Sequence, residues 1–123
     1  MLLEALIGIL IFSIGILALI AMQSVAVSQV RDAQFRSEAA VLADRMMGNL
    51  VLIQSSVPTL SATPTITQWK TEVTNTLPSG VGRVTLVASA LGSTVTTATI
   101  TITWRVPGAS TTSNHTTIGT LGY

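Results

Sequence analysis

Cysteine is absent from this 123-residue chain, and charged residues make up only 9% of it. Without cysteine, no disulfide, thiolate metal site or thiol nucleophile can form. The formal net charge is +1, and no run of basic residues occurs. That charge is too small to attract a nucleic acid through its phosphates, so no nucleic-acid site is expected.

Residues for catalysis and metal binding are equally scarce. The single histidine, His115, lies in a polar Ser-Asn-His-Thr stretch that predicts a surface loop, and no second histidine completes a zinc site. Asn114-His115-Thr116 has the form of a glycosylation acceptor, with an ordinary exposed loop as the alternative. No phosphate-binding glycine motif occurs, and the acidic residues that a Ser-His-acid set would need lie in helices that precede the predicted sheet: Asp32, Glu38, Asp44 and Glu72. We expect no catalytic residue, no cofactor and no metal ion.

Proline is missing from residues 1–57, and charge is missing from residues 5–22. Only Gly8, Ser13 and Gly15 interrupt the aliphatic character of this segment. As a helix it is about 27 Å long, close to the thickness of the hydrocarbon core of a bilayer. Because it has no polar stripe, it cannot be a soluble helix with one wet face. It is therefore expected to span, or nearly span, a membrane.

The apolar segment has three interpretations. A secretory signal peptide would need a basic region and a small-residue cleavage site, and nothing basic precedes the run. A generic single-pass anchor would need no acidic residue. Glu4 stands at the start of the run, where its carboxylate either complements the helix dipole or pairs with a cation. The nearest cation is an α-amino group, on this chain or on a neighbour.

The first twenty residues, MLLEALIGILIFSIGILALI, resemble the N-terminus of mature type IV pilins and type II secretion pseudopilins. In that superfamily a prepilin peptidase removes a short basic leader, the new N-terminus is methylated, and a single glutamate precedes a long apolar helix. Glu4 matches this glutamate but stands one place closer to the terminus. The resemblance implies that Met1 is not the initiator methionine, and that either one residue precedes it or the start is unusual.

Further matches resemble the PilV-type minor pilins. They are Ala39-Ala40, Leu42 to Met47, Trp69, Leu77-Pro78-Ser79-Gly80 and Thr101 to Arg105. The resemblance implies a subunit held in the bacterial inner membrane and then moved by a pilus assembly platform into an extracellular filament. Its partners would be other pilin subunits.

Four residues are the expected assembly residues: Glu4, Met1, Gly8 and Gly15. On the resemblance, Glu4 pairs with the terminal amine of an adjacent subunit and sets the stagger. Gly8 and Gly15 lie seven residues apart on nearly one helix face, where small residues allow close helix approach. The alternative is that membrane helices simply tolerate glycine.

Helical spacing continues to residue 56 and predicts one helix of about 50 residues, roughly 75 Å long. Its second half has an apolar face, formed by Ala39, Leu42, Met46, Met47, Leu50 and Ile53. Its wetter face carries Arg31, Asp32, Arg36, Glu38, Asp44 and Arg45. The first half needs burial by lipid or by neighbouring helices, whereas the second half is expected to pack on a sheet.

The remainder predicts a small head. Ser55 to Thr65 reads as a linker, followed by a helix over about 66–77 that Thr65 or Thr67 caps and that Pro78-Ser79-Gly80 ends. Alternation predicts antiparallel strands over about 83–90, 95–106 and 116–121, with a turn at Leu91-Gly92-Ser93. The expected core residues are Leu42, Met46, Leu50, Ile53, Trp69, Ile100, Ile102 and Trp104.

The sequence thus predicts an α+β, type IV pilin-like fold whose long N-terminal helix has a protruding apolar half. Its regions are residues 1–22 for the membrane or filament core, 23–56 for the amphipathic half and 57–123 for the head. The expected function is a structural pilus subunit, as a minor pilin or as a major pilin of the shaft, or a pseudopilus subunit. The rival is a monomeric membrane-anchored binding module that uses its threonine-rich sheet.

Overall fold

A computed structural model describes residues 1–53, 64–89 and 95–122. The fold is α+β, with a long N-terminal helix and a small antiparallel sheet, as the sequence predicts. Its elements are α1 (Leu2–Leu52), α2 (Pro64–Thr76), β1 (Val81–Ala88), β2 (Val95–Trp104) and β3 (Ser113–Gly122). The strands pair in the order β1-β2-β3. The chain divides into two compact units, Met1–Ala33 and Gln34–Tyr123.

Helix α1 runs without a break because its sequence contains no proline to remove a backbone hydrogen bond. It ends at Leu52. Ile53 follows in a turn, and its backbone N–H donates to the Asn49 carbonyl at 3.1 Å. The predicted continuation over 54–56 lies outside the described residues. In the first unit, every residue from Met1 to Arg31 is exposed.

The second unit buries one stripe of α1. The buried residues are Ala39, Leu42, Ala43, Met46 and Leu50, which recur at the spacing of a single helix face. Met47 and Ile53 are only partly buried at the margin of the same core. The predicted core residue Ile53 is thus half-buried, because it follows the last helical turn.

Helix α2 begins at Pro64, two residues before the predicted start. Proline suits the first helical position because its fixed φ is already helical and its missing N–H would have no partner there. Thr65 and Thr67 therefore lie inside the first turn, and their predicted capping role is wrong. The rest of the predicted linker, residues 55–63, lies outside the described residues.

The end of α2 is the turn that Pro78-Ser79-Gly80 predicts. The Gly80 N–H donates to the Leu77 carbonyl at 3.0 Å, and Ser79 has φ +53°. A Cβ on Gly80 would lie 2.5 Å from the Val73 carbonyl oxygen, so only glycine fits. Leu77 follows the helix and is buried in the core.

Strand β2 is the centre of the sheet and has the clearest alternation. Thr96, Ala98, Ile100, Ile102 and Trp104 are buried, whereas Thr97, Thr99, Thr101 and Thr103 face outward. It ends at Trp104, earlier than the predicted residue 106. The reason is that the Arg105 N–H donates to the Pro78 carbonyl at 3.0 Å, and a turn around Gly108 (φ +86°) follows.

Strand β3 begins three residues earlier than predicted. It pairs with β2 from Trp104↔Ser113 to Val95↔Gly122. His115 consequently lies in a strand, where it is half-buried with its Nε2 3.2 Å from the Thr117 Oγ1. The prediction of a surface loop around His115 is therefore wrong.

Strand β1 occupies Val81–Ala88 and not 83–90. Its pairing with β2 extends to Val81↔Thr103 at one end and Ala88↔Thr96 at the other. Residue 90 and the predicted turn at 91–93 lie outside the described residues.

Candidate assembly surface

The first unit exposes an uninterrupted apolar helix surface. Every large apolar side chain from Leu2 to Met22 is exposed, from Ile16 at 41% to Leu2 at 84%. Burying a side chain of this size stabilises by about 1.5–3 kcal/mol, so exposing this set to water costs on the order of 20 kcal/mol. Soluble monomers rarely expose a continuous apolar patch of this extent. The segment requires an apolar environment.

The helix start places Glu4 in its first turn. The Met1 carbonyl accepts a hydrogen bond from the Ala5 N–H at 3.3 Å, so Met1 occupies the capping position. Glu4 is then the third helical residue, in the turn whose backbone N–H groups have no helical acceptor. The positive end of the helix dipole favours a negative charge here. Glu4 itself is exposed.

Gly8 and Gly15 have open surroundings. A Cβ at either position would meet no atom within 4 Å, so this chain's own packing requires glycine at neither. Ser13, the one hydroxyl between them, donates to the Ile9 carbonyl at 2.8 Å. Its polar group is therefore satisfied within the helix, as an apolar environment demands. Helix backbones are most accessible to close approach at the two glycines.

The second unit holds the predicted core together. Seven of the predicted core residues are buried there: Leu42, Met46, Leu50, Trp69, Ile100, Ile102 and Trp104. They come from α1, α2 and β2, and Leu121 joins them from β3. The core therefore fixes the second half of α1 and α2 against one face of the sheet.

Trp69 joins three elements in that core. It is 3% exposed, and its Nε1–H donates to the Leu42 carbonyl of α1 at 2.9 Å. Its ring covers Gly82 of β1, where a Cβ would lie 2.6 Å from the ring carbon Cζ3. The sequence predictions above do not include Gly82, although a glycine inside a strand signals this kind of close approach.

A cleft of about 260 Å³ lies between α1 and α2 in the same unit. It is lined by Ser37, Glu38, Val41, Leu42, Arg45, Glu72 and Thr76. An ion pair between Arg45 and Glu72 crosses it, and both side chains are about half exposed. This ion pair is not predictable from sequence spacing, because its two residues lie 27 positions apart, on different helices.

The described residues contain no cluster of side chains that could bind a metal ion. Across 1–53, 64–89 and 95–122, no three histidine or carboxylate side chains lie close enough together to hold a metal ion.

Comparison with known proteins gives no relative: no family model, no curated protein and no solved structure matches the chain. By length and composition, α1 is apolar and long enough to cross a membrane. Core helices of soluble proteins and signal sequences share that property. None of the most apolar stretch is buried here, unlike in a core helix, and the stretch lies near the N-terminus, as a signal sequence does.

Proposed function

We propose that this chain is a structural subunit of a type IV pilin-like filament, held in the inner membrane by α1 and later packed into a fibre through the same helix. One observation supports this proposal most strongly. The helix from Leu2 to Val30 exposes its apolar residues on every side, whereas the second unit already has a buried core of its own.

Transfer from membrane to fibre is an exchange of environments that are almost equally apolar. Lipid tails are as apolar as leucine, so hydrophobicity alone gives helices no preference for one another. Specific association must then come from close packing and from polar groups. In α1 these are the open glycines, Gly8 and Gly15, and the carboxylate of Glu4.

Glu4 supplies the register in this proposal. An ionised side chain inside an apolar environment costs roughly 2.5 kcal/mol or more, unless it reaches water or a partner charge. At a membrane surface Glu4 reaches water. In the interior of a fibre it needs a cation, and the terminal amine of an adjacent subunit supplies one at a single stagger.

Replacing Glu4 tests this role. Glu4→Leu should leave the amount of chain in the inner membrane unchanged and remove it from the sheared extracellular fibre fraction. Ser13→Ala is the matched control, because that hydroxyl is satisfied inside the helix, and this variant should be incorporated normally. Normal incorporation of Glu4→Leu would refute the register role.

The threonine face of β2 favours a second candidate, the membrane-anchored binding module. Thr97, Thr99, Thr101 and Thr103 alternate along its outward side. Such a module would work as a solitary, lipid-embedded molecule. Membrane cross-linking separates the two functions, because a solitary anchor gives monomers only. Within the pilin proposal, the number of copies per fibre distinguishes a PilV-like minor pilin from a major pilin of the shaft.

A further inference from the structure

Charge is distributed unevenly between the two layers of the second unit. Residues 81–122, which contain the whole sheet, carry Arg83 and Arg105 but no aspartate or glutamate. The carboxylates of this unit all belong to the helices, as Glu38 and Asp44 on α1 and Glu72 on α2. The sheet layer therefore carries only positive charges, whereas the helical layer carries these three carboxylates together with three cations, Arg36, Arg45 and Lys70.

The α1–α2 cleft concentrates two of these carboxylates. Glu72 is already paired with Arg45. Glu38 is half-buried and receives a hydrogen bond from the Gln34 side-chain amide at 3.2 Å, so its described partner is neutral. The cleft thus has a net charge of −1, located at Glu38.

The shape of the cleft suits one long side chain. Its volume of about 260 Å³ is below that of typical small-molecule pockets, about 300–1,000 Å³. Leu42 is buried at its base, and Val41 is 55% exposed at its rim. A lysine or arginine side chain fits such a site, because its methylene stem covers apolar surface while its charged end remains near water.

Arg83 is the complementary group on the sheet. It is exposed on the outward face of β1. Across that face its neighbours are Thr101 on β2 and then Thr116 on β3, and neither carries a charge. Arg83 therefore lies on an otherwise uncharged face that carries threonines together with the exposed apolar side chains Val81, Val87 and Ile118.

From these observations we infer that the outward sheet face of one copy docks on the helical layer of the next, with Arg83 entering the cleft beside Glu38. The two surfaces differ, so the contact is heterologous, and a heterologous contact that does not close into a ring builds an open fibre. The inference rests on the proposed function in one respect: α1 brings the copies side by side.

Cross-linking tests this contact directly, since the chain has no cysteine of its own. The full-length double variant Glu38→Cys with Arg83→Cys is expressed in cells that assemble the fibre. A short bifunctional thiol cross-linker is used, because two cysteines replacing long side chains stand too far apart for a disulfide. A heterologous contact should give a ladder of multimers, whereas each single-cysteine variant should remain monomeric.

Asp44→Cys combined with Arg83→Cys is the matched control. Asp44 is an exposed carboxylate of the same helix. It stands six residues from Glu38 and therefore points to a different side of α1. This pair should give no ladder.

A charge exchange supplies the second arm. Glu38→Lys alone and Arg83→Glu alone should each lower the yield of sheared fibre by at least about tenfold, since each places like charges together. The combined variant should restore it.

The outcomes separate the contact from the function. Fibres that form without a 38–83 ladder overturn the contact and leave the filament function standing, as do dimers from either single-cysteine variant. A ladder among membrane copies without any fibre supports the contact and counts against the filament. Absence of the ladder, together with absence of the native chain from sheared fibres, overturns both.

Discussion

Replacing Gly82 by alanine tests how the head is held together. A Cβ at this position would lie 2.6 Å from Cζ3 and 2.7 Å from Cη2 of Trp69. Carbon atoms in contact normally stand about 3.5–4.0 Å apart, so the indole would have to move by about 1 Å. It has little freedom to do so, because it is 3% exposed and its Nε1–H is bonded to the Leu42 carbonyl.

The expected cost follows from these contacts. Overpacking a core costs about 1–3 kcal/mol, and a weakened indole hydrogen bond adds about 1 kcal/mol. Alanine also reduces the conformational entropy of the unfolded chain, which offsets about 0.4–1 kcal/mol of this cost. We expect the free energy of unfolding to fall by about 2 kcal/mol. For a domain of this size the melting temperature then falls by about 10 °C.

Thermal melting of the full chain in detergent micelles measures this change, with the near-ultraviolet circular dichroism of the tryptophans as the signal. Gly122→Ala is the matched control, because a Cβ there meets nothing within 4 Å. The melting temperature of Gly119→Ala should lie between those of Gly82→Ala and Gly122→Ala. Its Cβ would lie 2.7 Å from the Met47 Sδ, and a flexible thioether side chain can yield. If Gly82→Ala and Gly122→Ala have the same melting temperature, the Trp69 ring does not cover β1 and the reasoning fails.

The same melting assay checks two further expectations. Trp69→Phe should destabilise by about 1 kcal/mol more than Trp104→Phe, since Trp69 donates a buried hydrogen bond whereas the buried Nε1 of Trp104 has no partner among the described residues. A double-mutant cycle on Arg45 and Glu72 should give a coupling of about 0.2–1 kcal/mol that shrinks with added salt, since both side chains are about half exposed.

A specific result would contradict each of these two expectations. Equal losses from the two tryptophan substitutions would mean that the indole hydrogen bond of Trp69 adds nothing beyond ring volume. A salt-independent coupling well above 1 kcal/mol would mean that the ion pair is shielded from water.

The long helix and the central strand were predictable from the sequence because their signals are local. An uncharged, proline-free run specifies α1, and strict alternation from Thr97 to Trp104 specifies β2. The start of α2 also has a local signal, because Pro64 suits the first position of a helix.

Strand β3 lacked such a signal. Its side toward the core carries Ser113, His115, Thr117 and Gly119 before the first buried apolar residue, Leu121. Alternation of polar and apolar residues is therefore invisible there. Its length follows from pairing with β2, a contact between distant parts of the sequence.

The candidate assembly surface divides in the same way. Glu4, Gly8 and Gly15 are conspicuous in the sequence because they interrupt an apolar run. The cleft beside Glu38 and its complement at Arg83 depend on which helices pack together and on which strand face points outward. Tertiary contacts decide both, so spacing along the chain does not reveal them.

The most direct test of the account is where the native chain is found in its own cells. Extracellular fibres are sheared and purified, and the chain is quantified there and in the inner membrane, with an unrelated integral membrane protein as the contamination control. The account predicts the chain in the fibre fraction, free of that control protein. A chain found only in the membrane, as a monomer that never enters a fibre, would contradict it.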